Sequence, residues 1–254
     1  MKISFKQMLV ILATLVMLTV NALANILPIN GMNTGQVSDN FKVFFVPAGY
    51  VFSIWGVIYL LLLGYTVYQA LPAQKANPVL QKIAPWYVAG SLANAIWIFM
   101  WHYLQFNWTI LFMGILLVSL LVIYVALRKS GAAKESSGMK WFVQLPFSVY
   151  LGWITVATIA NVTDVLDFNK WNGFGISAET WALIMLAVGV VLAAWMTLKF
   201  RDAAYLAVLV WAFAGIGVKF AGVSIVSTGA YIAAGLVGVL LLVSLVDNLK
   251  KKTI

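Results

Sequence analysis

Aromatic side chains at helical spacing are the residues of this chain best suited to binding a ligand. Phe52, Trp55 and Tyr59 recur at i, i+3 and i+7, so a helix would place the three rings on one face. Pro47 precedes this run, where a chain can turn and a helix can begin. Such a face either packs against other helices or forms one wall of a pocket for a flat apolar ligand.

Two further segments combine tryptophan with polar residues at helical spacing. Asn94 and Trp97 are three residues apart. A longer stripe, at i, i+3, i+7 and i+11, consists of Tyr150, Trp153, Ala157 and Asn161. Because a buried asparagine in lipid surroundings needs a partner, each of these residues taken singly favours interhelical packing. The three stripes together favour a shared aromatic cavity.

The rest of the sequence offers little other chemistry. There is no cysteine, which excludes disulfides, thiolate metal sites and cysteine nucleophiles. We find no Ser/His/Asp set, no metal-binding spacing and no phosphate-binding glycine loop, so we expect no enzyme, no catalytic residue, no metal and no required cofactor. The one histidine, His102, could ligate a haem iron, although a lone histidine near a helix end is more often an interfacial residue. The seven acidic residues are all expected in loops or at helix ends, which argues against an ion-coupled transporter.

Composition determines the class of protein. The chain is 63% hydrophobic and 9% charged, whereas soluble domains carry about 25% charged residues. We therefore predict an all-α polytopic transmembrane helix bundle, with the lipid bilayer as a partner. Apolar runs predict eight spans, at about 8–28, 49–70, 85–104, 107–128, 141–161, 180–199, 203–221 and 224–247.

Loop charge predicts the orientation. With both termini in the cytoplasm, only Lys42, Lys170 and Lys219 of the 16 basic residues fall on the outer side. Basic residues in cytoplasmic loops therefore account for the net charge of +9, and we expect no nucleic-acid partner. We expect a multi-pass protein of the bacterial inner membrane.

The first span has two interpretations. Two lysines, an apolar run and Ala22-Leu23-Ala24 are typical of a signal peptide with its cleavage site. The apolar run continues through Ile26 and Leu27 to Pro28, which favours a retained helix.

These segments, taken together, resemble the translocator-protein family, the tryptophan-rich sensory proteins (TspO/MBR). The family's helix-2 entry motif, Pro-Pro-x-Trp-x-Phe-x-x-x-Trp-x-x-x-Tyr, is similar to the segment from Pro47 to Tyr59. Its helix-3 Asn-x-x-Trp is matched by Asn94 and Trp97, and its helix-5 motif most specifically by the segment from Tyr150 to Asn161. Tyr50 stands where the family has its first tryptophan.

The resemblance covers roughly residues 8–165 and implies a five-helix core. We therefore divide the chain into a TspO-like domain, 1–165, and a three-helix transmembrane extension, 166–254. Small residues in the last two spans, Gly215 among them, predict close helix packing, against the core or in a dimer.

The resemblance also implies a function. The family binds porphyrins, haem-related tetrapyrroles or sterol-like ligands, so a porphyrin or haem is a possible ligand here, and a homodimer is a possible assembly. Carried onto this chain, the predicted ligand-binding residues are Pro47, Tyr50, Phe52, Trp55, Tyr59, Asn94, Trp97, Tyr150, Trp153, Ala157 and Asn161. The polar loop before them, residues 30–45, is expected to act as a lid. The alternative function is transport or export of small amphipathic molecules.

Overall fold

The computed structural model of the protein describes residues 3–27 and 29–250, and within those ranges it contains helices and no strand. Eight long helices follow one another. They are α1 (Phe5–Ile26), α2 (Ile54–Ala70), α3 (Pro78–His102), α4 (Phe106–Ser130), α5 (Leu145–Phe168), α6 (Ala178–Phe200), α7 (Ala203–Lys219) and α8 (Ser224–Lys250). Short helical turns lie between them at Thr34–Ser38, Gly49–Ser53 and Lys140–Gln144.

The helix lengths fit a membrane. Of the described helical segments, seven are long and apolar enough to cross a bilayer. The eighth, α7, is apolar but has 17 residues, so at 1.5 Å per residue it measures roughly 25 Å, slightly less than the hydrocarbon core. The predicted all-α polytopic transmembrane bundle is confirmed.

Two predicted boundaries are each wrong by seven residues: the third span begins at Pro78 and not at 85, and the fifth span, predicted at 141–161, ends at Phe168. The helical run extends over Ser137–Phe168, because the apolar pattern continues through Val165 and Leu166 and no glycine or proline follows before Gly173. The predicted fifth span ends before Asp164 and therefore leaves this residue in the loop that follows. Asp164 belongs instead to α5, and its side chain is only 3% exposed.

The described chain forms two compact units. The first comprises Met1–Asn40 and Trp55–Ile154, and the second comprises Phe41–Ile54 and Thr155–Ile254. These limits differ from the predicted division at residue 165, which stays a prediction. The difference arises because Phe41–Ile54, an inter-helix segment in the sequence, clusters with the C-terminal helices.

In the first unit, buried polar contacts fix α1 against α2 and α3. The Thr14 hydroxyl lies 2.8 Å from the Thr66 hydroxyl and 2.7 Å from that of Tyr87. Near the N-terminus of α1, Gln7 and Gln69 each donate a side-chain amide hydrogen to the other's backbone carbonyl. Since an unpartnered polar group in an apolar interior is costly, these bonds fix the register of α1.

In the second unit, the segment Phe41–Ile54 lies along α7. The Ala48 amide donates to the Gly215 carbonyl over 3.1 Å, and the Trp211 indole donates to the Val51 carbonyl over 3.1 Å. Gly215 permits this approach, because an added Cβ would collide with Val51 Cγ2. Gly215 is therefore a point of close approach whose partner is this inter-helix segment, and packing of the last two spans against the core or in a dimer stays a prediction.

Some sequence predictions lie outside the described residues. The first predicted span includes Pro28, and the charge pattern includes Lys2, Lys251 and Lys252. The orientation of the termini, and the retention of the first span, stay predictions.

Candidate ligand-binding site

An aromatic cluster joins α2 and α5 in the first unit. The Trp55 ring stacks on Tyr59 one turn away, with centroids 5.5 Å apart and planes 25° apart. The same indole meets Tyr150 and Trp153 edge-on, at 5.9 Å and 6.2 Å. Four of the predicted site residues are thus in one place. We call Trp55, Tyr59, Tyr150 and Trp153 the aromatic cluster.

The cluster is closed in this conformation. Tyr150 and Trp153 are each 2% exposed, whereas Trp55 and Tyr59 are partly exposed. The rings therefore pack on one another, and the α2 side of the cluster is the more accessible one. Because aromatic rings prefer edge-to-face and offset contacts, the same surfaces are suited to a flat conjugated ligand.

Asn94 is tied into a buried hydrogen-bond network beside this cluster. Its carbonyl oxygen accepts from the Asn21 amide over 2.7 Å, and its own amide donates to the Tyr150 hydroxyl over 3.1 Å. Asn94 is 1% exposed. Its polar groups therefore bond α1 and α5 to α3, which matches the packing interpretation of this residue and leaves fewer of its hydrogen bonds for a ligand.

Trp97 lies further along α3, where its ring stacks on Trp101 with centroids 5.1 Å apart. The Trp101 indole donates to the Thr34 carbonyl in the short helix of the α1–α2 loop. Trp97 and Trp101 thus form an aromatic pair near the C-terminal end of α3.

The remaining predicted residues belong to the second unit. Pro47, Tyr50 and Phe52 lie in the segment along α7, and Tyr50 meets Trp211 edge-on at 5.4 Å while remaining 50% exposed. Ala157 and Asn161 lie on the C-terminal half of α5, and Asn161 is 2% exposed. The motif from Pro47 to Tyr59 is therefore divided: its residues up to Ile54 belong to the second unit, and its residues from Trp55 belong to the first. The role of these five residues in ligand binding stays a prediction.

A family model shows which protein family the chain belongs to. The family model described as TSPO-like protein matches residues 7–243. The chain belongs to the TSPO-like protein family. The recognised resemblance is thereby confirmed. The match continues through α6, α7 and most of α8, whereas the motifs identified in the sequence ended near residue 165.

The searches of curated proteins and of solved structures found no match to this TSPO-like chain. The family, together with the long apolar helices, makes it a multi-pass TspO-type membrane protein.

His102 has a structural environment that its sequence position did not indicate. It is 0% exposed, and its two ring nitrogens lie 3.1 Å from the Thr34 hydroxyl and 3.2 Å from the Ile29 carbonyl. A neutral ring that donates from Nδ1 to the carbonyl would accept from Thr34 at Nε2. Asn30 donates to the backbone carbonyl of His102. The loop expected to act as a mobile lid is thus bonded to the end of α3, and His102 holds it there.

Replacing His102 by alanine is expected to release this loop, since both ring contacts and the packing around them would be lost. Amide hydrogen exchange in residues 29–38 should accelerate by about tenfold or more, as expected for the loss of about two hydrogen bonds. Exchange in α8 should not change. The matched control is Tyr103→Ala, which removes an adjacent side chain that is 55% exposed. Unchanged exchange in residues 29–38 of the histidine variant would contradict the assigned role.

The hydroxyls of Thr14, Thr66 and Tyr87 meet in the structure, and no recognised motif predicts this contact. A signal was present: Gln7, Thr14 and Asn21 recur every seven residues along α1. That period places the three polar side chains close to one stripe of a helix. The described histidine and acidic residues form no group of three that could hold a metal ion.

Proposed function

We propose that this TSPO-like membrane protein binds a flat apolar ligand of the tetrapyrrole class at the aromatic cluster, without catalysing a reaction. One observation supports this function: the Trp55 indole of α2 is in contact with both the Tyr150 and the Trp153 rings of α5. Tryptophan and tyrosine rings provide large rigid faces for stacking on a conjugated macrocycle. The proposed location is the bacterial inner membrane with both termini in the cytoplasm, as the pattern of basic residues favours.

Binding would require Trp55 to move. Since Tyr150 and Trp153 are buried, a macrocycle reaches them only if the partly exposed Trp55 ring leaves its edge-on contacts. Each such aromatic contact contributes about 0.5–1.5 kcal/mol, a cost that stacking on a larger conjugated surface can offset. In this account Trp55 is both the gate of the site and its first contact with the ligand.

Titration of the purified protein with protoporphyrin IX tests this proposal through quenching of tryptophan fluorescence. Trp55→Phe and Trp153→Phe should each weaken binding about threefold to tenfold, because a smaller ring replaces the indole at the contact. Trp108→Phe is the matched control, since Trp108 is 57% exposed near the start of α4. Absence of saturable quenching, or unchanged affinity in both cluster variants, would exclude the proposed site.

Transport of a small amphipathic molecule is the second candidate, and one observation favours it. Asp164 is buried in the last turns of a membrane-spanning helix, and its Oδ1 lacks a hydrogen-bond partner among the described residues. Ionisable groups in such positions are often part of a substrate or ion path. Flux of the ligand across proteoliposomes, compared with equilibrium binding under the same conditions, separates transport from binding alone.

A further inference from the structure

A cavity lies within the second unit, where α5 ends and α6 begins. Its volume is about 280 Å³. Its walls come from the segment after Asn40, the last two turns of α5, the α5–α6 connection and the first two turns of α6. The side chains that give it its character are Phe44, Phe45, Trp171, Trp181, Thr163 and Asp167.

The aromatic wall of this cavity is held by the α5–α6 connection. The Trp181 indole donates to the Gly173 carbonyl over 2.9 Å, and the ring centroids of Trp171 and Trp181 lie 5.1 Å apart. Gly173 has φ +63°, and an added Cβ would come within 3.1 Å of the Trp181 indole nitrogen. Lys170 and Phe174 also adopt positive φ, at 54° each. Non-glycine residues in this conformation are uncommon, and they persist where surrounding contacts impose it.

The volume limits the size of an occupant. An apolar cavity of about 150 Å³ holds one benzene molecule. A cavity of about 280 Å³ therefore suits one or two fused rings. A tetrapyrrole, with four linked rings, is too large to be enclosed here, so this cavity differs in ligand class from the aromatic cluster.

The hydrogen bonds of the wall determine the polarity of an occupant. The Thr163 hydroxyl donates to the Ala160 carbonyl over 2.7 Å, so its hydrogen is used and its oxygen can still accept. The Trp181 N–H is used by Gly173. Asp167 accepts the Lys42 backbone N–H over 3.2 Å, and a carboxylate can accept several more hydrogen bonds. The wall thus offers acceptors, one of them charged, beside two indoles.

We propose that this cavity is a binding site for a small aromatic amine. The ligand ring would lie with the two indoles on one side and Phe44 on the other, and its ammonium group would donate hydrogen bonds to the Asp167 carboxylate. Carboxylate and aromatic faces both attract an organic cation. The Lys42 side chain is exposed at the rim and carries a flexible stem, so its charge can turn toward solvent.

Isothermal titration of the full-length protein in nanodiscs with 2-naphthylmethylamine tests this site, with empty nanodiscs to subtract partitioning into lipid. Saturable binding is expected, and 2-naphthylacetate, which has the same ring and the opposite charge, should bind at least tenfold more weakly. Asp167→Asn should weaken amine binding about tenfold, as expected for loss of a charge-assisted hydrogen bond. Its matched control is Asp39→Asn, an exposed carboxylate of the first unit.

A second variant fills the cavity without removing a polar group. Ala178 lines it and is exposed at the start of α6, so Ala178→Phe should abolish amine binding and leave thermal stability close to that of the parent protein. Ala187→Phe adds the same ring at an exposed position of α6 and should bind normally. No saturable amine binding, equal affinity for amine and carboxylate, or normal binding by both the Asp167 and Ala178 variants would overturn the proposal. Protoporphyrin quenching through Trp55 and Trp153 should be unaffected by Ala178→Phe, so the two proposals fail independently.

Discussion

Replacing Gly215 by leucine is expected to destabilise the protein by about 1–3 kcal/mol or more, which is the range for overpacking a well-packed site. An added Cβ collides with Val51 Cγ2 and comes within 3.3 Å of Pro47 Cβ. The backbone of this segment cannot retreat without breaking the hydrogen bond from the Ala48 amide to the Gly215 carbonyl. Thermal unfolding in detergent, followed by circular dichroism, measures the loss.

The control for Gly215 is a glycine of α8 in open space. An added Cβ at Gly235 meets no atom within 4 Å, so Gly235→Leu should leave the unfolding temperature nearly unchanged. A double-mutant cycle with Gly215→Ala and Val51→Ala adds specificity, because removing Val51 Cγ2 removes the colliding atom. The two substitutions should then be less damaging together than the sum of their separate effects. Strict additivity would show that Gly215 acts through some other contact.

The segment that leads into α2 is held by the C-terminal part of the chain. The segment Phe41–Ile54 carries half of the motif that resembles the TspO family, yet its hydrogen bonds through Ala48 and Val51 are to α7. Phe44 meets Phe220 and Phe45 meets Phe213, each edge-on, at 5.1 Å and 6.3 Å. Since the family match also extends to residue 243, the C-terminal helices support the entry segment of α2 in this protein.

The sequence predicted the helices well because each span must satisfy its backbone hydrogen bonds internally. Apolar length alone therefore located the eight long helices, of which seven are long enough to cross a bilayer and α7 is shorter. It does not locate the end of α5, because carboxylates such as Asp164 and Asp167 are typical of a loop, whereas a helix can carry both on its last turns. Burial of a carboxyl group depends on what packs over it, and that information lies in residues distant in sequence.

The candidate site was predictable in part for the same reason. The spacing of Trp55 and Tyr59, and of Tyr150 and Trp153, follows from helix geometry, and the structure brings these four rings together. The partner of Tyr50 could not be predicted, because Trp211 lies about 160 residues away in a helix that carries no recognised motif. Local spacing shows which face a ring occupies, whereas only the folded chain shows which face it meets.

Asn94→Leu is expected to separate the structural role of this residue from its predicted role in ligand binding. Leucine is of similar size and makes no hydrogen bond, so the variant leaves the Asn21 amide without its bond to α3 and the Tyr150 hydroxyl without its donor. Loss of one partner in a buried pair costs about 1–3 kcal/mol, and toward the lower end of that range between membrane helices. Thermal unfolding should therefore begin at a lower temperature.

The matched control is Asn25→Leu on α1, since Asn25 is exposed and its amide donates to the Asn21 carbonyl of its own helix. That substitution should cost a few tenths of a kcal/mol at most, as is usual for surface positions. Protoporphyrin titration of the Asn94 variant completes the comparison. If Asn94 mainly bonds α1 and α5 to α3, the folded variant should bind protoporphyrin with a Kd within about twofold of that of the parent protein, while its unfolding temperature falls. A stable variant that loses binding would instead make Asn94 a ligand contact, and would require its amide to leave Asn21 and Tyr150 when the ligand enters.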